Sequence, residues 1–282
     1  MFFYATLFRC IFMHYSTTVK KTYLIIIYIL SHNAVFAQLP GFILNGNPQD
    51  LAGAQWTYQD SVDGIYYDLT GVLMQPPVGI PPFPAAIISH GQNGHVMAGY
   101  SQGMGREMVE WGFVCISVNL CHSSSTVPIG SPGDASTANW GASYNNVLRN
   151  MKCWDILASL GYVDTNCIVA SGNSRGSFTS TATVAAFPDK FSCAGHTGGG
   201  VEVVPGYHAP TPSQASTITC PYIFHHADPD NIYPLSMDSM FNYIRTGIFT
   251  NVWKDNYLFS IDYINISFNC SWSDSSNSRL VY

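Results

Sequence analysis

The chain has 282 residues, of which 11 are Lys or Arg and 17 Asp or Glu, for a formal charge of −6; phosphate backbones call for a basic face, so no nucleic-acid partner is expected. Charged residues make up 10% and apolar ones 47%, against roughly 25% charged in ordinary soluble domains, which excludes disorder and predicts a large packed core. No stretch reaches the roughly 20 consecutive apolar residues of a membrane span, so a multi-pass membrane protein is excluded as well.

Residues 1–37 read as a secretory signal. Lys20 and Lys21 precede the apolar run Tyr23 to Leu30, and Val35-Phe36-Ala37 places small residues at both positions that signal peptidase reads. Cleavage after Ala37 gives a secreted chain that starts at Gln38 and has no integral membrane span. Met13 gives a signal of more ordinary length than Met1. Cys10 leaves with it, and Cys115, Cys121, Cys153, Cys167, Cys193, Cys220 and Cys270 remain in a compartment that favours disulfides. Their number is odd, so at least one thiol stays unpaired within the chain, and no C-x-x-C spacing supports zinc or a redox motif. Cys115, Cys167 and Cys193 fall inside predicted strands and are expected as core thiols.

From Ile65 the chain alternates strand and helix. Ile65 to Met74 mixes aromatic and β-branched residues, and after the Pro-rich turn Pro76 to Pro84 the apolar run Ala85 to Ser89 predicts a buried strand. A helix over Met97 to Trp111 follows, with Met104, Met108 and Trp111 at helical spacing, and then the strand Phe113 to Asn119. Helix Ala142 to Leu160, strand Cys167 to Ser171, helix Arg175 to Ala186, strand Phe191 to Gly195, strand Tyr222 to His226 and a helix around Leu235 to Arg245 complete the regular part. Two long loops interrupt it, Ser123 to Asn139 and Gly198 to Ser216. Such alternation predicts an α/β fold with a mostly parallel central sheet and helices on both faces, because parallel neighbours need a long return connection. We assign residues 38–250 to one such domain and 251–282 to an atypical tail.

Chemistry gathers at three strand ends, where this architecture places reactive groups. Gly172-Asn173-Ser174-Arg175-Gly176 lies between a predicted strand and a helix, as a nucleophile elbow does: the serine sits at a strained apex, and Gly172 and Gly176 let strand and helix approach. His90-Gly91-Gln92-Asn93-Gly94 ends another strand; backbone N–H groups of Gln92 and Arg175 are the candidate oxyanion donors, and His90 is read as structural. The third end reads His225-His226-Ala227-Asp228-Pro229-Asp230. Neighbouring His225 and His226 point to opposite faces of a strand, so no metal is expected there, and no cofactor is called for. Asn265-Ile266-Ser267 and Asn269-Cys270-Ser271 fit N-glycosylation sites at Asn265 and Asn269.

Together, His90-Gly91, Gly172 to Gly176 and His226 to Pro234 resemble the α/β-hydrolase superfamily, above all its small secreted esterases and dienelactone-hydrolase-like members. The resemblance implies a serine hydrolase acting on small-molecule or polymeric carboxylic esters through an acyl-enzyme on Ser174. Placing Tyr233-Pro234 on the closing pair of the family's acid motif makes Asp230 the catalytic acid; an alignment anchored on His225 recruits Asp228 instead. The family order is serine, acid, histidine, yet none of the nine histidines follows Asp230. Since the tail from Asn256 to Tyr282 also changes to a Tyr, Asn and Ser-rich character, it reads as an alternative or misread terminal exon. A complete product is then expected to carry a histidine downstream of Asp230, and the chain as written to be a poor catalyst. A protein that kept the fold and lost the base, serving as a binding module, is the other reading.

Overall fold

In the computed structural model, which describes residues 39–97, 99–201, 208–225 and 252–255, the alternation of apolar and polar residues resolves into one nine-stranded sheet. β1 (Phe42–Asn45), β2 (Ala54–Val62) and β3 (Ile65–Met74) form an antiparallel meander. Asp63 (φ 53°) and Gly64 (φ 78°) make the tight link between the last two, the two-residue turn whose twist matches that of the strands it joins. β4 (Phe83–Ser89), β5 (Val114–Val118), β6 (Val163–Asn173), β7 (Cys193–Thr197), β8 (Tyr222–His225) and β9 (Val252–Asp255) follow. The spatial order is β1-β2-β3-β5-β4-β6-β7-β8-β9. β3 runs antiparallel to β5, and every pairing from β5 to β9 is parallel.

The period of two along the central strands sends alternate residues to opposite faces. Ala86, Ile88, Cys115 and Val169 share one apolar cluster with Met108 of α1 (Gly99–Glu110). Ala85, Ile87, Ile116, Ile168 and Ala170 join Ile156 and Leu157 of α2 (Tyr144–Ser159) and Val184 of α3 (Arg175–Ala186) in the other. Helices therefore cover both faces, and the expected α/β class with a mostly parallel sheet is what the chain adopts.

Several elements differ from expectation in extent. β1 and β2 add an antiparallel edge where no strand was expected, and β6 begins at Val163, ahead of the predicted Cys167. Trp111 lies just past α1 and is 51% exposed, so it does not pack with Met108. A short helix, α4 (Pro212–Ala215), punctuates the loop Gly198 to Ser216, started by a capping box between Thr211 and Gln214. β9 draws four residues into the sheet from beyond residue 250. The predicted helix around Leu235 to Arg245 lies outside the described residues. Cys115 is buried as expected, Cys193 is half-buried, and both are free thiols along with Cys121, Cys153 and Cys220; Cys167 is buried in β6.

One buried charge organises the loop Ser123 to Asn139. Arg149, on α2, is completely buried and donates through Nη1 to the carbonyls of Asn119 and Ile129 and through Nη2 to those of Gly130 and Pro132. A guanidinium removed from water keeps its charge tolerably only when its N–H groups are answered. Here the carbonyls that answer Nη1 and Nη2 come from the end of β5 and from a loop that is joined to β3 through the bridge between Ser131 and Asp68.

Candidate active site

The chain leaves β4 for β5 on one side and later enters β6 on the other, so β4 and β6 part at their carboxyl ends. That is the topological switch point at which open α/β sheets form a crevice. Ser89 at the end of β4 pairs with Gly172 near the end of β6, which sets the His90 loop beside the turn into α3. Ser174 occupies that turn with φ 53° and ψ −121°, a backbone state that costs a non-glycine residue about 1–3 kcal/mol. Its neighbours hold it there. The Ser174 N–H donates to Thr197 O at 2.9 Å, and its carbonyl accepts from the N–H of Ser177 at 2.9 Å and from the Ser177 hydroxyl. A Cβ at position 176 would lie 2.2 Å from Ser89 O, and one at 172 would lie 2.3 Å from Gly176 O. Only glycine lets α3 start this close to β4 and β6, and the serine is left exposed at the apex.

The loop from β4 passes directly over this turn. A Cβ on Gly91 would sit 3.3 Å from Ser174 Cβ, so the backbone of Gly91 and Gln92 borders Ser174. Gln92 is exposed, and its Oε1 accepts a 2.6 Å hydrogen bond from Nε of Arg175. The Arg175 guanidinium in turn lies 4.6 Å from the ring centre of Trp140.

Beneath the loop, two buried imidazoles fix its path. His90 Nε2 accepts from the Leu120 N–H at 3.0 Å, which leaves the proton on Nδ1 to be donated to Gly91 O at 2.8 Å. His122 Nε2 donates to His90 O at 3.0 Å, while its Nδ1 faces the Gly141 N–H and Nδ2 of Asn146. Both rings are therefore engaged on both nitrogens, and His90 serves structure, as its place before the elbow suggested. Burial pulls the His90 imidazole down to about 4; burial first, and then the adjacent His90, pull His122 down to about 3.

The pH dependence follows from these directions. Unfolded imidazoles titrate near 6.5, so between that value and the folded pKa the unfolded chain binds more protons than the folded one. Stability is fully present above about pH 6.5 and falls, by roughly 1.4 kcal/mol per pH unit for each imidazole, as pH drops toward about 4 for His90 and about 3 for His122. Urea midpoints read by Trp fluorescence are expected to decline over that window. In His122→Gln, which keeps a donor toward His90 O, the slope should be shallower; an unchanged slope would assign the acid sensitivity to carboxylates instead.

Of the residues singled out from the sequence, Gln92, Gly172, Ser174, Arg175 and Gly176 meet at this strand end. The end of β8 is level with it, since His225 pairs with Thr197 and Thr197 with Asn173. His226, Asp228, Asp230, Asn265 and Asn269 lie outside the described residues. His208 (φ 58°) accepts from the Ala142 N–H at 2.8 Å through its carbonyl, beside Gly141 and hence next to Trp140. Among the described residues no group of three or more His, Cys, Asp and Glu side chains could hold a metal. Three contributors escaped the sequence reading: His122, Asn146 and Trp140. His122 follows the carboxyl end of β5, the one signal that could have found it; the other two are brought in by contacts 24 and 35 residues distant in sequence.

The model of the prolyl oligopeptidase family matches residues 138–229, a span that covers the elbow but less than half of the chain. Among solved structures, a cold-adapted esterase from an Arctic intertidal metagenomic library superposes with a TM-score of 0.57 at 18% identity, over 75% of this chain and 87% of that one. The acylaminoacyl peptidase of Pyrococcus horikoshii gives 0.56 at 14% identity, over 81% of this chain and only 39% of the peptidase. A Klebsiella pneumoniae protein described as a dienelactone hydrolase gives 0.50 at 14% identity, over 71% and 84%. No curated protein matches the chain. The chain shares the α/β-hydrolase fold of these structures.

Proposed function

We propose that this protein is a secreted serine hydrolase that cleaves carboxylic esters through an acyl-enzyme on Ser174. The observation that carries the reading is Ser174 itself: an exposed hydroxyl on a left-handed backbone, between β6 and α3, at the switch point of the sheet. In the proposed reaction Ser174 Oγ adds to the ester carbonyl, and the oxyanion is met by the N–H groups of Gln92 and Arg175. Collapse expels the alcohol and leaves an acyl-serine, which water then hydrolyses. The serine proton passes to a base oriented by Asp230 and from it to the departing alcohol; in the family order that base is a histidine after Asp230, a position that none of the nine histidines fills. An ester substrate is supported by the esterase and the dienelactone hydrolase among the structures of the same fold.

Export is supported by the signal-like residues 1–37 and by a compact unit that begins at Leu39. Mass analysis of the exported protein is expected to find Gln38 at or next to its amino terminus; a chain retaining Lys20 and Lys21 would overturn export by this route. A formal charge of −6 argues against a nucleic acid as the partner.

A fluorophosphonate probe tests the catalytic reading, because only an activated serine is phosphonylated: labelling should be present in the wild type and absent in Ser174→Ala. The second reading, a binding protein of the same fold, is favoured by the order of the histidines, all nine of which precede Asp230. It predicts no labelling.

A further inference from the structure

We propose that the side chains of Arg175 and Trp140 are positioning residues that clip the Gln92 loop to the elbow and so fix the spacing of the two oxyanion donors. The proposal rests on the serine-hydrolase reading above. It assigns the Arg175 side chain a task apart from that of its backbone N–H.

Arg175 is the first residue of α3, and its side chain reaches back over the elbow to a loop 83 positions earlier in the chain. The bond from Nε to Gln92 Oε1 is short, 2.6 Å, as befits a charged donor. Trp140 backs the guanidinium at 4.6 Å, in the range where a cation gains from the ring face. Its own ring is fixed, since Nε1 donates to Ala135 O at 3.0 Å, and its carbonyl accepts from the N–H of Ser143, the N-cap of α2. Three separate elements thus converge on one planar cation: the elbow, the oxyanion loop and the approach to α2.

The loop needs such a tie at this point. Asn93 N–H donates to His122 O and Gly94 N–H to Gly91 O, which hold the loop beyond Gln92, while His90 is held below. Gln92 stands between these anchors with its side chain in the solvent-exposed mouth. Oxyanion stabilisation depends on donors already standing at about 2.7–3.1 Å from where the charge will develop, so a donor free to drift loses its effect in the transition state and not in binding. A lysine could supply the charge but not the flat fork that stacks and donates at once.

The test compares the wild type with Arg175→Met, Gln92→Met, their double variant, Trp140→Leu and Arg175→Lys. Gln92→Met removes the acceptor and keeps the backbone N–H. Backbone amide exchange of residues 90–96 is expected to rise roughly tenfold in Arg175→Met and in Gln92→Met, and no further in the double, because both delete one shared bond. Fluorophosphonate labelling should slow by roughly 10- to 100-fold in the same variants, below or at the cost of losing one oxyanion donor outright. Trp140→Leu and Arg175→Lys should each fall between them and the wild type, since lysine keeps the charge but not the stacked fork, and the thermal midpoint should stay put throughout. Unchanged exchange in Arg175→Met, or additive effects in the double variant, would overturn the clip. A wild type that does not label would instead overturn the serine-hydrolase reading, and the exchange measurement would still decide whether the clip holds the loop.

Discussion

Ser174→Ala is expected to lower kcat for ester hydrolysis by about 10⁴- to 10⁶-fold in the active enzyme, the scale on which loss of the nucleophile acts in serine hydrolases. The hydroxyl of Ser177 cannot take over. Ser177, one turn into α3, is fully buried and spends its hydroxyl on Ser174 O. Alanine keeps the Cβ that the φ 53° turn already tolerates, so fold and substrate affinity should survive while the covalent step is lost. The oxyanion donors and binding alone would leave roughly 10³- to 10⁴-fold acceleration over water. Steady-state kinetics with an activated ester, together with mass detection of the acyl-enzyme, check the result. Turnover equal to that of the wild type would remove Ser174 from the chemistry and the hydrolase reading with it.

Asp230→Asn is expected to cost about 10⁴-fold in kcat, since an amide in place of the orienting carboxylate holds the base in the wrong tautomer. Asp228→Asn should cost far less. The two residues are separated by Pro229 alone, so the comparison is sharp: neither substitution changes size, and both remove one negative charge. A large loss at Asp228 and a small one at Asp230 would move the acid by two positions and realign the motif on His225. The pH profile of kcat should keep its shape in Asp228→Asn and lose its neutral-pH limb in Asp230→Asn.

Much of this architecture was legible because a parallel sheet writes itself plainly. Ala85 to Ser89 is apolar on both faces, and β3 and α3 have the limits expected from their composition, Ile65–Met74 and Arg175–Ala186. β2 was overlooked although it alternates well, with Trp56 and Tyr58 buried and Gln55 and Gln59 exposed. The polar members of such a half-covered strand dilute its apolar count, and the signal that does announce the hairpin is the Asp63-Gly64 turn. Trp111 misled in the opposite direction. Its spacing from Met108 continues the helical period, but α1 ends at Glu110, and a period carries no mark of where the helix stops.

At the site, the elbow and the His90 loop were visible because each is a short contiguous motif. Their supports were not. His122 grips His90, Trp140 backs Arg175, and Arg149 gathers four carbonyls, and each relation joins residues whose nearness is created only by folding. Arg149 is the hardest to foresee, because an arginine on a helix is ordinarily counted toward the solvent face, and nothing in the local sequence says that carbonyls will converge upon it.

That convergence makes α2 a template for the loop beside the site. Residues 129–132 wrap the Arg149 side chain and are also held by the paired backbone bonds between Ser131 and Asp68 of β3. The stretch is therefore bound rather than merely connected, and its freedom to drift or to accept insertions is set by the helix and by β3. The residues that follow are held by other contacts, Asp134 Oδ1 accepting from the Ser136 N–H and from Asn139 Nδ2 and Ala135 O accepting from Trp140 Nε1, so the loop that wraps Arg149 also steadies the ring behind Arg175.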